Sequence, residues 1–584
     1  MRRPLILLLV LILGCQTAAP PATREAVTEP TPARSVQTVR SNAGLVVSDS
    51  PIASAVGADI LRRGGNAVDA AIATAFALAV TWPEAGNIGG GGFMLIAGPD
   101  IQPVAIDYRE AAPAAATADM YTPGENRHRP RHVGVPGTVE GLGLAYARFN
   151  SVSMPWPVLI EPAIKLARDG FEIDAALADS LNGVLNDPET HNSPELAEFR
   201  RVFGHPDGRE WRAGDRLVQP DLARTLEEIS TGDGFYRGRI ANELAAFMEE
   251  HDGLITADDL ARYSAQERQP TRTAAFDHDV LGMPPPSSGG VCVGLILQQC
   301  EALGIGGRDG FDATAIHLIA ESMRRAFHQR ALYLGDADFA RVPLNTLTGE
   351  ALPRILAESI DPERATPSES LEPAIPLADE SPSTTHFSVI DANGMAVANT
   401  YTLEQSWGSR VIVPGLGFVL NNEMGDFNWT PGRTTRGGAI GTEANIIEPY
   451  KRPLSSMSPT LVMKDGRVVG ITGSPGGRTI ISTTALILLN VLAFDLSPES
   501  AVEMPRFHHQ WLPDVIVLER PAGIIDWPVP DLLEAMGHAV DVRDTPQGSA
   551  HTIWWDADAA SYVGIADFRR GGAAVAATDS AAGP

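Results

Sequence analysis

The chain is short of positive charge. Lysine occurs only at Lys165, Lys451 and Lys464, and the 45 basic residues face 72 acidic ones, which gives a formal charge of −27. A nucleic-acid partner would favour a basic face, so this balance argues against nucleic-acid binding. Hydrophobic residues make up 44% and charged residues 20% of the chain, which is ordinary for a globular protein with a sizeable core.

Cysteine is also scarce, with three residues in all. Cys292 and Cys300 lie in a stretch that predicts a buried helix, where eight positions separate them by about 12 Å, beyond the reach of a disulfide. Both are therefore predicted to be structural and reduced. The sequence has no C-x-x-C or H-E-x-x-H zinc pattern, and we interpret His508-His509 as structural because no carboxylate or third histidine stands at ligand spacing.

The hydrophobic run at the start of the chain is too short to cross a membrane. Residues 5–13 would span about 14 Å as a helix, against about 30 Å for a bilayer core. Two arginines precede this run, so residues 1–14 are predicted to be a secretory signal. The sequence Leu-Gly-Cys that ends at Cys15 resembles a bacterial lipobox, which makes Cys15 the expected lipidation site, and Gln16 favours an outer-membrane anchor on the periplasmic side. The alternative is an ordinary secretory signal with an incidental cysteine.

Composition suggests the organisation of the rest of the chain. Residues 15–42 are rich in Pro, Thr and Ala and predict a flexible tether, and residues 571–584 predict a fraying tail. Helix signals include the Pro at position 51 and a capping Asn66, and residues 110–380 indicate mainly helices with long loops. The glycines at 89–92 precede a strand and lack a following Gly-Lys-Ser/Thr, which argues against a nucleotide site.

A change to period two begins at Thr384. Residues 384–391 and 395–402 predict two strands around a turn, and the polar, proline-containing segment before them is expected to be exposed and open to cleavage. If the chain is cut between Ser383 and Thr384, the α-amine of Thr384 titrates near pH 8 and can act as the base for its own hydroxyl. The spacing alone does not establish this chemistry, because threonine at the start of a strand is common.

The interpretation of the junction at Thr384 depends on motifs that extend from about residue 43 to 570. The junction sequence 383–391 resembles the processing site of γ-glutamyltranspeptidases. The similarity continues in order through further motifs at residues 65–71, 85–95, 107–113, 136–138, 283–290, 420–427, 452–459, 473–477 and 505–511. It implies a four-layer αββα sandwich of the N-terminal-nucleophile hydrolase type, formed jointly by a large subunit (43–383) and a small catalytic subunit (384–584) from one precursor.

The resemblance also implies a role for each matching residue. Thr384 is similar to the nucleophile and Thr402 to the threonine that orients it, while Gly476 and Gly477 match the oxyanion hole. Arg109 matches the arginine that binds the substrate α-carboxylate, to which the planar guanidinium is suited. The remaining predicted substrate-binding residues are Glu423 and Asp426 for the α-ammonium, Glu404 beside them, and Ser455 and Ser456 for the carboxylate end. The expected site thus has a cation at one end and two carboxylates at the other, which suits a zwitterionic amino-acid head.

The implied reaction is the cleavage of γ-glutamyl amides such as glutathione, with transfer of the acyl group to water or to an amino-acid or peptide acceptor. No metal or organic cofactor is implied. Two positions depart from the family pattern: Glu404 stands where many members have Asn, and Gly437 takes the place of the usual tyrosine in the lid loop, residues 428–447. A lid without this tyrosine favours hydrolysis over transfer.

Other readings stay open at this point. Each predicted site residue has a structural alternative, such as an ion pair for Arg109 or turn residues for the serines and glycines. A sister enzyme that cleaves glutaryl-type amides, such as cephalosporin side chains, would need no ammonium pocket, so Glu423 and Asp426 count against it. An inactive, uncut surface lipoprotein is disfavoured by the intact Thr384 and Thr402. A Ser-His-Asp hydrolase is disfavoured because no G-x-S-x-G motif occurs.

Overall fold

The computed structural model describes residues 35–232, 234–308, 312–371, 384–429, 442–521 and 527–578. The predicted signal, Cys15, most of the tether, Ser383 and Gly437 lie outside these residues. Within the described ranges, no helix combines the length and the apolar character needed to cross a membrane. The described residues from Ser35 onward form one compact unit, to which both predicted subunits contribute.

The strands share an antiparallel arrangement with few exceptions. In chain order they are β1 Gln37–Ser41, β2 Gly44–Ser48, β3 Gly91–Gly98, β4 Ile101–Tyr108, β5 Phe171–Glu172, β6 Arg216–Leu217, β7 Gln266–Arg268, β8 Thr271–Ala275, β9 His278–Gly282, β10 Thr385–Asp391, β11 Ala396–Thr402, β12 Thr460–Lys464, β13 Arg467–Thr472, β14 Phe507–His508, β15 Ile516–Glu519, β16 Val540–Arg543, β17 Thr552–Asp556, β18 Ser561–Ala566 and β19 Ala573–Ala576.

Two seven-stranded sheets dominate the molecule. One sheet has the order β19-β2-β10-β11-β3-β4-β7, and we call it the nucleophile sheet because its strand β10 directly follows the predicted nucleophile, Thr384. The second sheet has the order β1-β18-β17-β13-β12-β9-β8. A three-stranded sheet, β14-β15-β16, and the pair β5-β6 lie apart from them. In the nucleophile sheet β10, β11 and β19 come from the segment after Thr384 and the others from the segment before it, so neither predicted subunit can complete this sheet alone.

Helices cover the outer faces of both sheets. In chain order the α-helices are α1 Pro51–Arg62, α2 Ala67–Thr81, α3 Thr138–Phe149, α4 Trp156–Asp169, α5 Ala175–Asn186, α6 Pro188–Asn192, α7 Ala197–Phe203, α8 Pro220–Ser230, α9 Arg239–Glu250, α10 Ala257–Arg262, α11 Gly289–Ala302, α12 Ala313–Tyr333, α13 Leu344–Leu347, α14 Ala351–Glu358, α15 Thr479–Leu492, α16 Pro498–Glu503 and α17 Val529–Ala535.

Alternating side chains divide the core into layers. In β3, Phe93 and Leu95 point into the core between the two sheets, whereas Met94 and Ile96 point to the helices around α1, α2 and α4. This period of two buries both faces of the strand. The helices α11, α12 and α15 form a third apolar layer on the outer face of the second sheet. The result is the predicted four-layer αββα sandwich.

Local signals explain how the first helix pair packs behind the nucleophile sheet. The Asn66 side chain accepts from the backbone N–H groups of Val68 and Asp69, and the carboxylate of Asp69 accepts from the backbone N–H of Asn66, which closes a capping box at α2. Every residue of this alanine-rich helix is buried. It crosses α1 closely at Gly57, where a Cβ atom would lie 2.2 Å from Thr74 Oγ1. The predicted cap and the close packing are both confirmed.

Two predictions at the ends of the chain are wrong. The tether does not extend to residue 42, because Gln37–Ser41 forms β1 and pairs with β18, with Val39 packed against the core between the sheets. The fraying tail does not begin at residue 571, because Ala573–Ala576 forms β19 on the edge of the nucleophile sheet. In both segments small or polar residues suggested disorder, but backbone pairing with an existing sheet edge orders them.

The two internal cysteines behave as predicted. Cys292 and Cys300 both lie on α11 as reduced thiols and are fully buried. Burial also raises the pKa of the Cys300 thiol to about 12, which keeps it protonated and unreactive.

Candidate active site

The hairpin of β10 and β11 places the two predicted catalytic threonines together. Its register pairs Thr385 with Tyr401, so the preceding residue, Thr384, falls opposite Thr402. Cross-strand neighbours of this kind present their side chains on the same face of the sheet. The Thr384 hydroxyl donates to Thr402 Oγ1 at 3.3 Å, and the backbone N–H of Glu404 donates to the same oxygen at 3.1 Å.

The glycines at 89–92 allow this close arrangement. A Cβ atom on Gly90 would lie 2.1 Å from the carbonyl oxygen of Thr402, and one on Gly92 would lie 2.4 Å from the side chain of Tyr401. Only glycine lets the chain approach the end of β11 so closely. The glycine stretch therefore serves packing behind Thr402, which agrees with the argument against a nucleotide site.

A buried polar network holds the residues next to Thr384. Thr385 Oγ1 donates to Asp49 at 2.6 Å, and His551 lies 2.7 Å from the other oxygen of Asp49. Burial alone would raise the pKa of Asp49, but His551 and Arg570 outweigh it and hold that pKa below its usual value. Arg570 donates to the carbonyl oxygen of Thr384 at 3.3 Å. These contacts fix the first residues of β10 from the side opposite Thr402.

A single cavity collects nearly all predicted site residues. It is lined by Arg109, Thr384, Thr402, Glu404, Glu423, Asp426, Ser455, Ser456, Met457, Gly477 and Ile480. Of the predicted catalytic and substrate-binding residues, all of which the structure describes, only Gly476 is missing from this lining. The cavity volume is about 20 Å³, room for about one water molecule.

Arg109 pairs with the two acids that were expected at the opposite end of the site. Its Nη1 lies 2.5 Å from Glu423 Oε1, and its Nη2 lies 2.5 Å from Asp426 Oδ2. The backbone carbonyls of Pro453 and Leu454 accept from the same guanidinium at 3.3 and 3.4 Å. The expected separation of Arg109 from Glu423 and Asp426 is therefore wrong for this conformation. The physical reason is that the Arg109 guanidinium is only 1% exposed, and a buried charge is stable only when it is paired.

Among the residues that the structure describes, acidic groups outnumber basic ones in and around this cavity. Glu110, which the sequence analysis did not select, is fully buried and lies 3.6 Å from Arg109. Burial raises the pKa of Glu110 to about 7, and burial together with the neighbouring acids raises the pKa of Glu423 well above its usual value. Burial alone would lower the pKa of Arg109, but Glu423, Asp426 and Glu110 outweigh it and raise that pKa. The guanidinium therefore stays charged.

The carboxylate end of the site depends on a second buried arginine. Arg330, on α12, donates to the hydroxyl of Ser456 at 3.1 Å and to that of Ser288 at 2.8 Å. Ser288 in turn donates to the carbonyl oxygen of Ser455 at 2.7 Å. This arginine was missed in the sequence analysis. The available signal was the charge on α12, a helix whose buried residues include Glu321, Arg324 and Arg330.

The predicted oxyanion-hole glycines lie just before a helix. Gly476 and Gly477 have φ angles of +133° and +57°, a region that favours glycine, and α15 begins two residues later at Thr479. A Cβ atom on Gly476 would lie 2.4 Å from Thr479 Oγ1. Backbone N–H groups at a helix start carry partial positive charge, which suits a developing oxyanion.

The histidines do not form a convincing metal site in the described part of the chain. His508 bonds to Ser482 and Gln510, and His509 faces Asp514, as expected for structural residues. One other group, His317, Glu321 and His538, has ligand atoms close enough for a metal. Its atoms are already engaged: His317 Nε2 donates to the carbonyl of Asp361 at 2.8 Å, so its Nδ1 accepts from His538 at 2.7 Å.

Fold and site together define the class of protein. A threonine that opens a central strand of an αββα sandwich, with a threonine opposite it and a charged cavity beside it, is typical of the N-terminal-nucleophile hydrolases.

Comparisons with known proteins specify the class. The family model described as Gamma-glutamyltranspeptidase matches residues 53–577. The chain is 42% identical over 538 residues to the glutathione hydrolase proenzyme of Escherichia coli (strain K12), and the match covers 90% of each. It is 35% identical over 549 residues to the acylase ACY 1 proenzyme of Pseudomonas sp. (strain SE83), covering 91% of this chain and 93% of the relative. The chain therefore belongs to the γ-glutamyltranspeptidase family of enzymes.

A solved structure supports the fold independently. The cephalosporin acylase from Bacillus halodurans matches with a TM-score of 0.82, covering 95% of this chain and 99% of that one. At 24% sequence identity this similarity shows the shared fold and no more. The choice between γ-glutamyl and acylase substrates must come from the residues of the cavity.

Proposed function

We propose that the enzyme cleaves γ-glutamyl amide bonds through a γ-glutamyl ester on Thr384 and acts as a glutathione hydrolase. The observation that carries this proposal is the cavity itself, in which Arg109, Glu423 and Asp426 stand beside the Thr384–Thr402 pair. A γ-glutamyl head carries both an α-carboxylate and an α-ammonium, and these match the guanidinium and the two carboxylates. The relatives named glutathione hydrolase support the same substrate class.

The reaction follows from the positions of the groups. After cleavage of the chain, the hydroxyl oxygen of Thr384 attacks the γ-carbonyl carbon while its proton passes to the α-amine of the same residue. The N–H groups of Gly476 and Gly477 stabilise the oxyanion, and the C–N bond breaks as the leaving amine takes the proton. Water, or an amino-acid or peptide acceptor, then attacks the ester carbonyl and releases Thr384. Thr402 orients the nucleophile throughout.

Processing is the first step to test. Denaturing electrophoresis of the purified protein should show two pieces, and sequencing should find Thr384 as the first residue of the smaller one. A Thr384→Ala variant should remain one chain, whereas Thr117→Ala, at an exposed threonine that bonds to Asp119, should still be cut. A wild-type chain that stays uncut after long incubation refutes the proposed nucleophile.

The substrate class needs a separate experiment, because one relative is named an acylase. A glutaryl donor has the carboxylate for Arg109 but no ammonium for Glu423 and Asp426. We expect the processed enzyme to prefer a γ-glutamyl anilide over the matching glutaryl anilide in kcat/KM. The opposite preference would assign the enzyme to the acylase reaction. Adding a dipeptide acceptor to the γ-glutamyl assay measures transfer, and we expect hydrolysis to predominate because Gly437 replaces the lid tyrosine.

We also propose that the enzyme is exported and lipid-anchored at Cys15 on the periplasmic side of the outer membrane. The support is the sequence alone: a charged start, a short apolar run and a lipobox-like Leu-Gly-Cys. Mass spectrometry of the mature N-terminal peptide should find a lipid on Cys15, and Cys15→Ala should release the enzyme from the membrane fraction. An unmodified mature chain that begins elsewhere would favour the ordinary secretory signal.

A further inference from the structure

Arg127 occupies an unusual position at the edge of the cavity. Its Nη1 lies 3.1 Å from Glu404 Oε1, and its guanidinium lies 4.9 Å from the centre of the Trp429 ring. The same group lies flat against the backbone of Gly425, where a Cβ atom would lie 2.9 Å from Nη1. Trp429 is itself held by a bond from its Nε1 to the carbonyl of Met424 at 2.9 Å. Arg127 is therefore fixed between a ring and a backbone turn.

The partner of Arg127 is a predicted substrate-binding residue. Glu404 lines the cavity, is 4% exposed, and adopts a φ of +80°, an uncommon conformation for a glutamate. Its backbone N–H binds Thr402 Oγ1, so its position is tied to the catalytic pair. Its charge also reaches the ammonium pocket, since Glu404 is one of the acids that raise the pKa of Glu423. A neutralised Glu404 attracts a substrate ammonium much less than a free carboxylate does.

We propose that Arg127 is a specificity-determining residue that neutralises Glu404 and thereby limits how strongly the cavity favours an ammonium-bearing head. This inference rests on the proposed γ-glutamyl activity. Glu423 and Asp426 remain the ammonium-binding pair, and Glu404 contributes little while Arg127 holds it. The ratio of kcat/KM for a γ-glutamyl anilide to that for the matching glutaryl anilide is the direct measure, because the two donors differ in the ammonium group.

The expected changes have opposite signs, which separates this role from a structural one. Arg127→Gln removes the cation that pairs with Glu404 Oε1, so the ratio should rise at least about fivefold, since a unit charge a few ångströms from the ammonium is only partly screened. Glu404→Gln leaves Arg127 as an excess cation, so the ratio should fall by a similar factor. The double variant should return towards the wild-type ratio, and Arg127→Lys, which keeps the charge, should stay near it.

Arg129→Gln is the matched control. Arg129 lies on the same loop, but its side chain is about half exposed and makes a long contact of 3.9 Å with the exposed Glu195. The loss of Arg129 should therefore leave the ratio unchanged. The proposal is overturned if Arg127→Gln leaves the ratio unchanged, or if it lowers both activities equally and Arg127→Lys does the same. If the wild-type enzyme cleaves no γ-glutamyl donor, the proposed function fails instead, so the two failures are distinct.

Discussion

The buried carboxyl of Glu110 should make the stability of the fold depend on pH. Burial raises its pKa from 4.5 to about 7. Between these values the folded chain keeps a proton that the unfolded chain has released, so the free energy of unfolding falls as the pH rises through this window. A shift of this size corresponds to at most about 3 kcal/mol, which is fully lost above pH 7. Glu110→Gln removes the titration and should therefore remove this loss.

The assay compares urea unfolding of two full-length chains between pH 4.5 and pH 8. Both carry Thr384→Ala, so that each remains a single chain and subunit dissociation does not complicate the transition. The difference in free energy of unfolding, Glu110→Gln minus parent, should become more positive by up to about 3 kcal/mol across this range. Glu172→Gln, at an exposed glutamate on β5, is the control and should give a constant difference. A constant difference for Glu110→Gln as well would refute the reasoning.

Three further predictions concern the catalytic groups. Thr402→Val keeps the shape of the side chain but removes the hydroxyl that binds Thr384, so kcat for a γ-glutamyl anilide should fall at least about tenfold. Thr402→Ser keeps the hydroxyl and should retain most of the activity. An unchanged kcat for the valine variant would contradict the orienting role. Arg330→Met removes the guanidinium that donates to Ser456 and Ser288, so KM should rise more than kcat falls. Arg330→Lys should recover part of the loss. Equal changes in KM and kcat would indicate a general structural defect. Gly476→Ala places a Cβ atom 2.4 Å from Thr479 Oγ1 and should abolish activity. Gly466 also has a positive φ but has open space around it, so Gly466→Ala should cost only about 1 kcal/mol of stability and leave activity intact. Equal activity in the two variants would show that Gly476 is not part of the site.

The juxtaposition of Thr384 and Thr402 could be predicted from the sequence because local signals and family motifs agreed there. The change to period two at Thr384 indicated a hairpin, and a hairpin register places residues 384 and 402 opposite each other. The αββα layers followed from the family resemblance, and the buried helix with Cys292 and Cys300 from its own pattern. These features depend on neighbours in sequence or on a long series of ordered motifs.

The features that the sequence did not reveal depend on contacts between distant segments. Arg330 and Ser456 are 126 positions apart, and Arg127 and Glu404 are 277 apart, so no local pattern connects them. The strands β1 and β19 were missed for a related reason. Their own composition is poor in strong strand formers, and they become strands because the edge of a sheet offers them backbone partners.

The pairing of Arg109 with Glu423 and Asp426 also explains why the head group should decide specificity. The carboxylate of a γ-glutamyl donor can pair with Arg109, and its ammonium can pair with Glu423 and Asp426. Each of these buried charges then keeps a partner when the ion pairs of the empty site are broken. A glutaryl donor can pair with Arg109 but supplies no ammonium, so Glu423 and Asp426 lose the guanidinium that they contact in this structure. Breaking a buried pair in this way costs about 3–5 kcal/mol unless the acids bind protons. Burial raises the pKa of Glu110 to about 7 and the pKa of Glu423 well above its usual value, so this cluster takes up protons more readily than free carboxylates do. The discrimination against glutaryl donors should therefore weaken as the pH falls.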